Sequence, residues 1–438
     1  MQNIDTLIHA RWIIPVEPEN IVHENYSLAI HEGHILELLP TDQAKEKYLS
    51  RNVQNLTEHA LIPGLINTHT HAAMSLFRGL SDDLPLMEWL NDHIWPAEGK
   101  WVNSEFVQDG TELAIAEMIR GGTTTFSDMY FFPDVAAHVA DKSGIRAVVG
   151  MIIIDFPTVW ASSAGEYISK GLEVNERYRH HPRITTAFAP HAPYTVSDEP
   201  LQQINTLAEQ LDIPVHIHLH ETDDEIKQSL ENHKERPLQR LTRLGLLSPR
   251  LIAVHMTHLN DDEISQVAQA GAHVVHCPES NLKLASGFCP VHKIMSTGGN
   301  VALGTDGAAS NNDLDMFGEM RTAALLAKAV ANDASALPAE RALKMATLNG
   351  AKALGIDNKT GSLKAGKAAD ITAVHLGSLE NQPIYHPVSQ IVYTSGRHNV
   401  TDVWVAGQHL LKSGMLTTLD EDKIKQKTLR WQECIAED

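Results

Sequence analysis

Cysteine is scarce in this chain. Cys277, Cys289 and Cys434 are odd in number and far apart. They form no disulfide framework and no zinc ribbon, so a reducing, cytoplasmic compartment is expected. Basic residues are few as well: 35 Lys and Arg stand against 55 Asp and Glu, a formal net charge of -20. So acidic a chain is a poor binder of nucleic acid or of an anionic membrane over a broad face, and neither partner is expected. No apolar run reaches the roughly 18 residues that a membrane-crossing helix needs. The opening MQNIDTLIHARWIIP has no basic segment leading into an apolar core, so no signal peptide is expected. Internal repeats and low-complexity tracts are missing too. The composition, 43% hydrophobic and 21% charged, is that of a globular protein. A small molecule in a local pocket is the expected partner, and homo-oligomerisation is left open.

The two ends read alike. TLIHARWII and SLAIHEGHILELL near the start are short alternating segments with Gly33 in a turn. ADITAVHL, QIVYTS and VTDVWVAGQHLL near the end read the same way. Two strand-rich ends flanking a long middle are expected to meet as one small β-sandwich, residues 1–59 and 361–438, with a C-terminal helix closing the chain.

The middle, 60–360, alternates differently. Candidate strands fall at 60–69, 123–128, 146–154, 184–190, 214–220, 250–255, 272–277 and 300–306. Helical periodicity lies between most of them, as in FVQDGTELAIAEMIRGG and EPLQQINTLAEQL. The pattern predicts an α/β fold, a (β/α)8 TIM-type barrel. An open doubly wound sheet would call for a glycine-rich phosphate loop after its first strand, and Gly64-Leu-Ile-Asn-Thr is not one.

Histidine and aspartate fall where barrel chemistry is done. Residues two apart on a strand point the same way, so His69 and His71 project together from the C-terminal end of the first barrel strand. His191 closes the fourth candidate strand, His218 the fifth, His255 the sixth and Asp306 the eighth. Most of the 25 histidines must be ordinary surface or core residues, and a lone His at a strand end is more often structural than a ligand. Several metal-capable side chains at one end of different strands are hard to explain as packing. By parity His216 shares a face with His218, so spacing leaves His216 open.

The motifs PGLINTHTHAAMSLFRG, HIHLHET, AVHMTHL, HCPESNLKLASG and ALGTDGAASNN resemble those of the amidohydrolase superfamily. More narrowly they are similar to its 5-methylthioadenosine/S-adenosylhomocysteine deaminase branch, alongside the chlorohydrolases. The resemblance runs over nearly the whole chain, through the terminal GSLKAGKAADI. It implies one divalent metal ion, zinc, held by His69, His71, His218 and Asp306. Such an ion lowers the pKa of bound water from about 15.7 to about 7. The resemblance further implies that His255 orients that water and Asp306 accepts its proton. Glu221 would carry a proton to the purine ring, Glu98 in IWPAEGKW would accept the ribose hydroxyls, and His191 would contact the nucleoside.

Chemistry independently asks for Glu221, because an amino group leaves poorly without a general acid. The plainer account is a glutamate opening the helix of ETDDEIKQ, where acidic residues suit the N-terminus. That role is assigned to Asp223, Asp224 and Glu225. The fourth strand ends Ala189-Pro-His191-Ala-Pro without the lysine that two-metal relatives use as a bridge, so one metal is expected. Cys277-Pro-Glu-Ser lacks the second cysteine of the cytidine-type deaminases. Trp89 and Ser310 are weaker substrate candidates. Some branch members carry arginines after the third strand, where this chain reads IIIDFPTVWASSAGEYISKG, and Arg146 lies only at that strand's start. Phe156, Pro157, Val159 and Trp160 are instead expected to cover a thioether. The expected reaction is deamination of methylthioadenosine, S-adenosylhomocysteine or adenosine. The alternatives are hydrolysis of guanine or a triazine, and a non-catalytic binding protein, which would have lost a ligand or the proton shuttle.

Overall fold

In the computed structural model, which describes residues 1–436, strands from both chain ends build one sheet. They are β1 (Gln2–Ile13), β2 (His23–His31), β3 (His34–Pro40) and β4 (Tyr48–Pro63). The middle supplies β5 (Leu65–Thr70), β6 (Thr123–Tyr130), β7 (Arg146–Ile153), β8 (Ile184–Pro190), β9 (Val215–Leu219), β10 (Leu251–His255), β11 (His273–His276) and β12 (Asn300–Leu303). The last part adds β13 (Ile371–His375), β14 (Val400–Val405), β15 (Gln408–Lys412) and β16 (Met415–Leu416).

The outer sheet runs β16-β15-β14-β13-β4-β1-β2-β3. It folds over itself. A Cβ on Gly33, between β2 and β3, would stand 2.7 Å from the carbonyl oxygen of Ala406, between β14 and β15. Ile8, Leu28, Ile30, Ile371 and Trp404 fill the space between its halves. This is the small sandwich that the two ends predict.

The other eight strands run in chain order, and their pairings are parallel. The circle closes between β5 and β12: Thr68 Oγ1 donates to the Leu303 carbonyl, and Asn67 Nδ2 donates to Thr305 Oγ1 at 2.7 Å. Every residue of β5, β6 and β7 is buried, as strands wrapped by helices must be. The helices Ser104–Arg120 and Asp198–Leu211 lie where periodicity places them.

Three details depart from expectation. Residues 60–63 end β4 and pair with β1 and β13, so the chain crosses into the barrel at Gly64, not at residue 60. A Cβ at Gly64 would fall 2.1 Å from Thr124 Oγ1, which is why the crossing needs glycine. QIVYTS is not a strand: the helix Pro387–Tyr393 takes most of it, and buries Val388, Ile391 and Val392 at helical spacing. The C-terminal helix Glu421–Ala436 packs on Ser104–Arg120 of the barrel rather than on the sandwich. Trp431 Nε1 donates to buried Asp109 at 3.0 Å, and its ring meets Phe106 edge-on at 5.2 Å. Among the described residues no helix is long and apolar enough to cross a membrane.

Candidate active site

Four side chains converge at the C-terminal mouth of the barrel. One ligand-capable atom each from His69, His71, His218 and Asp306 lies within 4.8 Å of the other three. His69 comes from β5 and His71 from the residue after it. His218 is on β9. Asp306 follows β12 in a left-handed conformation, φ 66°, unusual for a residue other than glycine. Its peptide N–H donates to the His69 carbonyl at 3.0 Å, which locks the loop to β5. Gly304 permits that closeness, since a Cβ there would lie 2.8 Å from His69.

The outer nitrogens are spoken for. His71 Nδ1 is 2.6 Å from the Met129 carbonyl, and His218 Nδ1 is 2.7 Å from the His191 carbonyl. A carbonyl only accepts, so each Nδ1 carries the proton and each Nε2 presents a lone pair inward. His69 Nδ1 is 3.0 Å from His216 Nε2, while His216 Nδ1 is 3.3 Å from Ser127 Oγ. This settles what parity left open: His216 stands behind His69 and supports it. Inside, His218 Nε2 and His69 Nε2 are 3.1 Å apart, and Asp306 Oδ1 lies 3.3 Å from His69 Nε2 and 3.2 Å from His71 Nε2. Lone pairs and a carboxylate gathered so closely fit a divalent cation, and this nitrogen and oxygen set suits zinc. The outer hydrogen bonds are those that fix histidine ligands.

Charge follows the same logic. Burial, then repulsion from the neighbouring imidazoles, holds His216 and His218 well below the usual histidine range. Burial also lowers His69. Burial works to raise Asp306, but the adjoining His69 and His71 outweigh it and hold the carboxyl well below the carboxylate range. Its second oxygen accepts from Ser280 Oγ at 2.7 Å. Ser310 Oγ lies 3.3 Å from Ser280 Oγ, one step back from Asp306.

Beside this cluster His255 ends β10, also at positive φ (76°), with Nδ1 2.9 Å from Asn281 Nδ2. Its Nε2 faces Glu221 Oε2 at 3.6 Å. The Glu221 carboxyl is buried, and its other oxygen accepts from Ser286 Oγ at 3.4 Å. Burial, reinforced by Asp306 and Glu225, pushes it well above the carboxylate range.

These groups open into a cleft of about 1190 Å³ counted out to solvent. Glu98, His191, Trp89 and Ser310 all line it. Glu98 accepts from the Tyr130 hydroxyl at 2.7 Å, and burial pushes its carboxyl up to about 7. His191 Nδ1 is 3.0 Å from Thr195 Oγ1, and burial pulls the ring down to about 3, so it is neutral. Trp89 does double duty, with Nε1 donating to the Ser81 carbonyl at 3.0 Å. Phe156, Pro157 and Val159 join Trp95 and Leu90 in an apolar wall. Trp160 does not line the cleft; it packs on Phe132 at 5.1 Å, with Lys170 Nζ 5.0 Å from its ring. Arg146 is far from the mouth and pairs with Asp370 at 2.9 Å. Among the described residues no Lys or Arg lines the cleft.

Sequence reasoning left His216 open and passed over Tyr130, Ser280 and Asn281, each recognisable only through a partner distant in sequence. It also left Glu225 to the helix start. That carboxylate instead accepts the peptide N–H groups of His220 and Glu221, at 2.9 and 2.8 Å.

Comparison with known proteins agrees with this arrangement. A family model described as the amidohydrolase family matches residues 60–410. A 5-methylthioadenosine/S-adenosylhomocysteine deaminase of Saccharophagus degradans is 52% identical over 428 residues, which is 98% of this chain and 96% of that one. Its counterpart in Teredinibacter turnerae is 51% identical, covering 99% of this chain and 98% of its own. The crystal structure of an adenosine deaminase from Xanthomonas campestris with bound zinc superposes with a TM-score of 0.99 at 51% identity, each chain fully covered.

Proposed function

The chain belongs to the amidohydrolase family, and from that premise we propose that it is a zinc-dependent deaminase of purine nucleosides, acting on 5′-methylthioadenosine and S-adenosylhomocysteine. The products are the inosyl nucleoside and ammonia. The observation that carries the reading is the pairing of a converged His69, His71, His218 and Asp306 set with a buried Glu221 that lines the same cleft beside His255.

Those four residues would hold one divalent ion, which when bound would lower the pKa of water enough to make it a nucleophile at neutral pH. The chain's own residues do the rest. Glu221 gives its proton to the ring nitrogen beside the amino-bearing carbon, which makes that carbon electrophilic. His255 hydrogen-bonds the attacking water and fixes its approach. Asp306 accepts the water's proton, with its carboxylate steadied by Ser280 and by the Gly307 N–H at 2.8 Å. The carbon–oxygen bond forms, the proton held by Asp306 passes to the amino nitrogen, the carbon–nitrogen bond breaks to release ammonia, and the remaining hydroxyl proton returns to Glu221 as the ring carbonyl forms.

Glu98 and His191 hold the nucleoside. A carboxylate receiving two ribose hydroxyls selects a nucleoside over a free base, because the free base leaves it unpaired. The apolar wall of Phe156, Pro157 and Val159 covers the 5′ thioether. Three cysteines, two of them buried, suit work in the cytoplasm.

The test is a comparison of kcat/KM for methylthioadenosine, S-adenosylhomocysteine, adenosine and guanine on zinc-loaded protein. The thioether nucleosides are expected to lead. A clear preference for adenosine would remove the 5′ assignment, and a preference for guanine would remove the nucleoside assignment.

A further inference from the structure

We propose that Glu225 is a positioning residue for Glu221: its buried carboxylate clamps the backbone turn that aims the Glu221 side chain into the cleft. The inference rests on the proton-transfer role given to Glu221 above.

The helix start at Thr222–Glu225 shares its cap spacing with others in this chain, among them Asn260–Glu263, and uses it differently from that one. Asn260 and Glu263 open the helix Asp261–Ala270 as an ordinary capping box. Glu263 Oε2 accepts the N–H of Asn260 at 2.9 Å, and Asn260 Oδ1 accepts the N–H of Glu263 at 2.9 Å. Thr222 and Glu225 open Asp223–His233 with the same spacing, and Thr222 Oγ1 accepts the Glu225 N–H at 3.3 Å. The return bond is absent. The Glu225 carboxylate reaches past Thr222 and takes two N–H groups upstream of the helix, those of His220 and Glu221.

Those two residues form a strained turn. His220 has φ 54°, in the left-handed region that favours glycine. The opposite side of the turn is held by Thr257. Its hydroxyl lies 3.0 Å from the His220 carbonyl oxygen and 2.7 Å from that of Glu221, and its own N–H donates to His220 O at 3.0 Å. All four backbone polar groups of residues 220 and 221 are thereby fixed. The Glu221 side chain has only loose partners among the described residues, Ser286 Oγ at 3.4 Å and His255 Nε2 at 3.6 Å, and no close hydrogen bond. Its aim therefore comes from the backbone. A helix start does not need a buried carboxylate for this, because exposed Asp223 and Asp224 already serve the N-terminus.

Glu225→Gln is the informative change. It keeps shape but sets an amide NH2 against one of the two N–H donors. The expected result with methylthioadenosine is a fall in kcat of about tenfold or more with KM changed less than about threefold, and zinc content kept at one ion per chain. In a Glu221→Gln background the same change should add less than about twofold, since residues acting through one another are not additive. Thr257→Val attacks the other jaw of the clamp and is read the same way, so the idea stays testable if Glu225→Gln does not fold. Undiminished kcat in Glu225→Gln beside an impaired Glu221→Gln would overturn this proposal alone. So would a full, additive loss in the Glu221→Gln background. Wild-type turnover by Glu221→Gln itself would instead remove the role of Glu221, and this proposal with it.

Discussion

His69 Nδ1 lies 3.0 Å from Nε2 of His216, and both rings are wholly buried. One histidine therefore offers its inner nitrogen to the cluster while the other sets its proton. Replacing His216 by Phe keeps a ring in place but removes the acceptor. Losing such an outer partner lowers metal affinity about 10- to 100-fold. Competition with a chromophoric chelator measures this; an unchanged zinc affinity would show that His216 only fills space.

Glu221→Gln tests the proton shuttle. The variant is expected to bind zinc normally and to lose about 10²- to 10⁴-fold in kcat, the usual worth of a general acid. Steady-state kinetics alongside metal analysis separates the two effects.

Glu98 makes the pH profile informative. Burial disfavours its charged form and lifts it to about 7, against the pull of the Tyr130 hydroxyl. Below that value the carboxyl is protonated and no longer accepts both ribose hydroxyls; above it the carboxylate accepts both. The kcat/KM for a nucleoside is thus expected to rise as pH climbs through about 7, and Glu98→Gln should flatten that limb. The same variant should shrink the penalty for removing a ribose hydroxyl from the substrate. A limb that persists in Glu98→Gln belongs to another group.

Chelation should lower the melting temperature as well as abolish turnover. A ligand bound only by the folded state stabilises it by about 4 kcal/mol at a thousand times its Kd. Scanning calorimetry of the stripped and zinc-reloaded protein checks this, and equal melting temperatures would speak against the four-residue site.

Much of this was legible because the barrel translates sequence position into space. His69, His71, His218, His255 and Asp306 lie at or beside the C-terminal ends of their strands, and the fold gathers those ends at one mouth. The supporting residues were not legible, for a physical reason. His216 reads as another buried strand residue until β9 and β5 are placed opposite each other across the barrel. Ser280 and Asn281 sit after β11 and reach Asp306 and His255 only once β12 and β10 are placed on either side of it. Glu225 obeys the spacing of a helix cap, so local pattern gave the wrong partner. QIVYTS has the β-branched, aromatic composition of a strand, yet its segment buries a helical face against the barrel. Trp160 was grouped with Phe156 by sequence proximity, but the chain turns between them and sends the indole to Phe132.

The most direct test of deamination is to incubate zinc-loaded protein with methylthioadenosine in ¹⁸O-labelled water and to follow ammonia and product together. The account predicts one ammonia per nucleoside consumed and one labelled oxygen on the purine carbon that lost its amino group. Ammonia release that does not accompany labelling of that carbon, or none from methylthioadenosine, S-adenosylhomocysteine or adenosine, would contradict it.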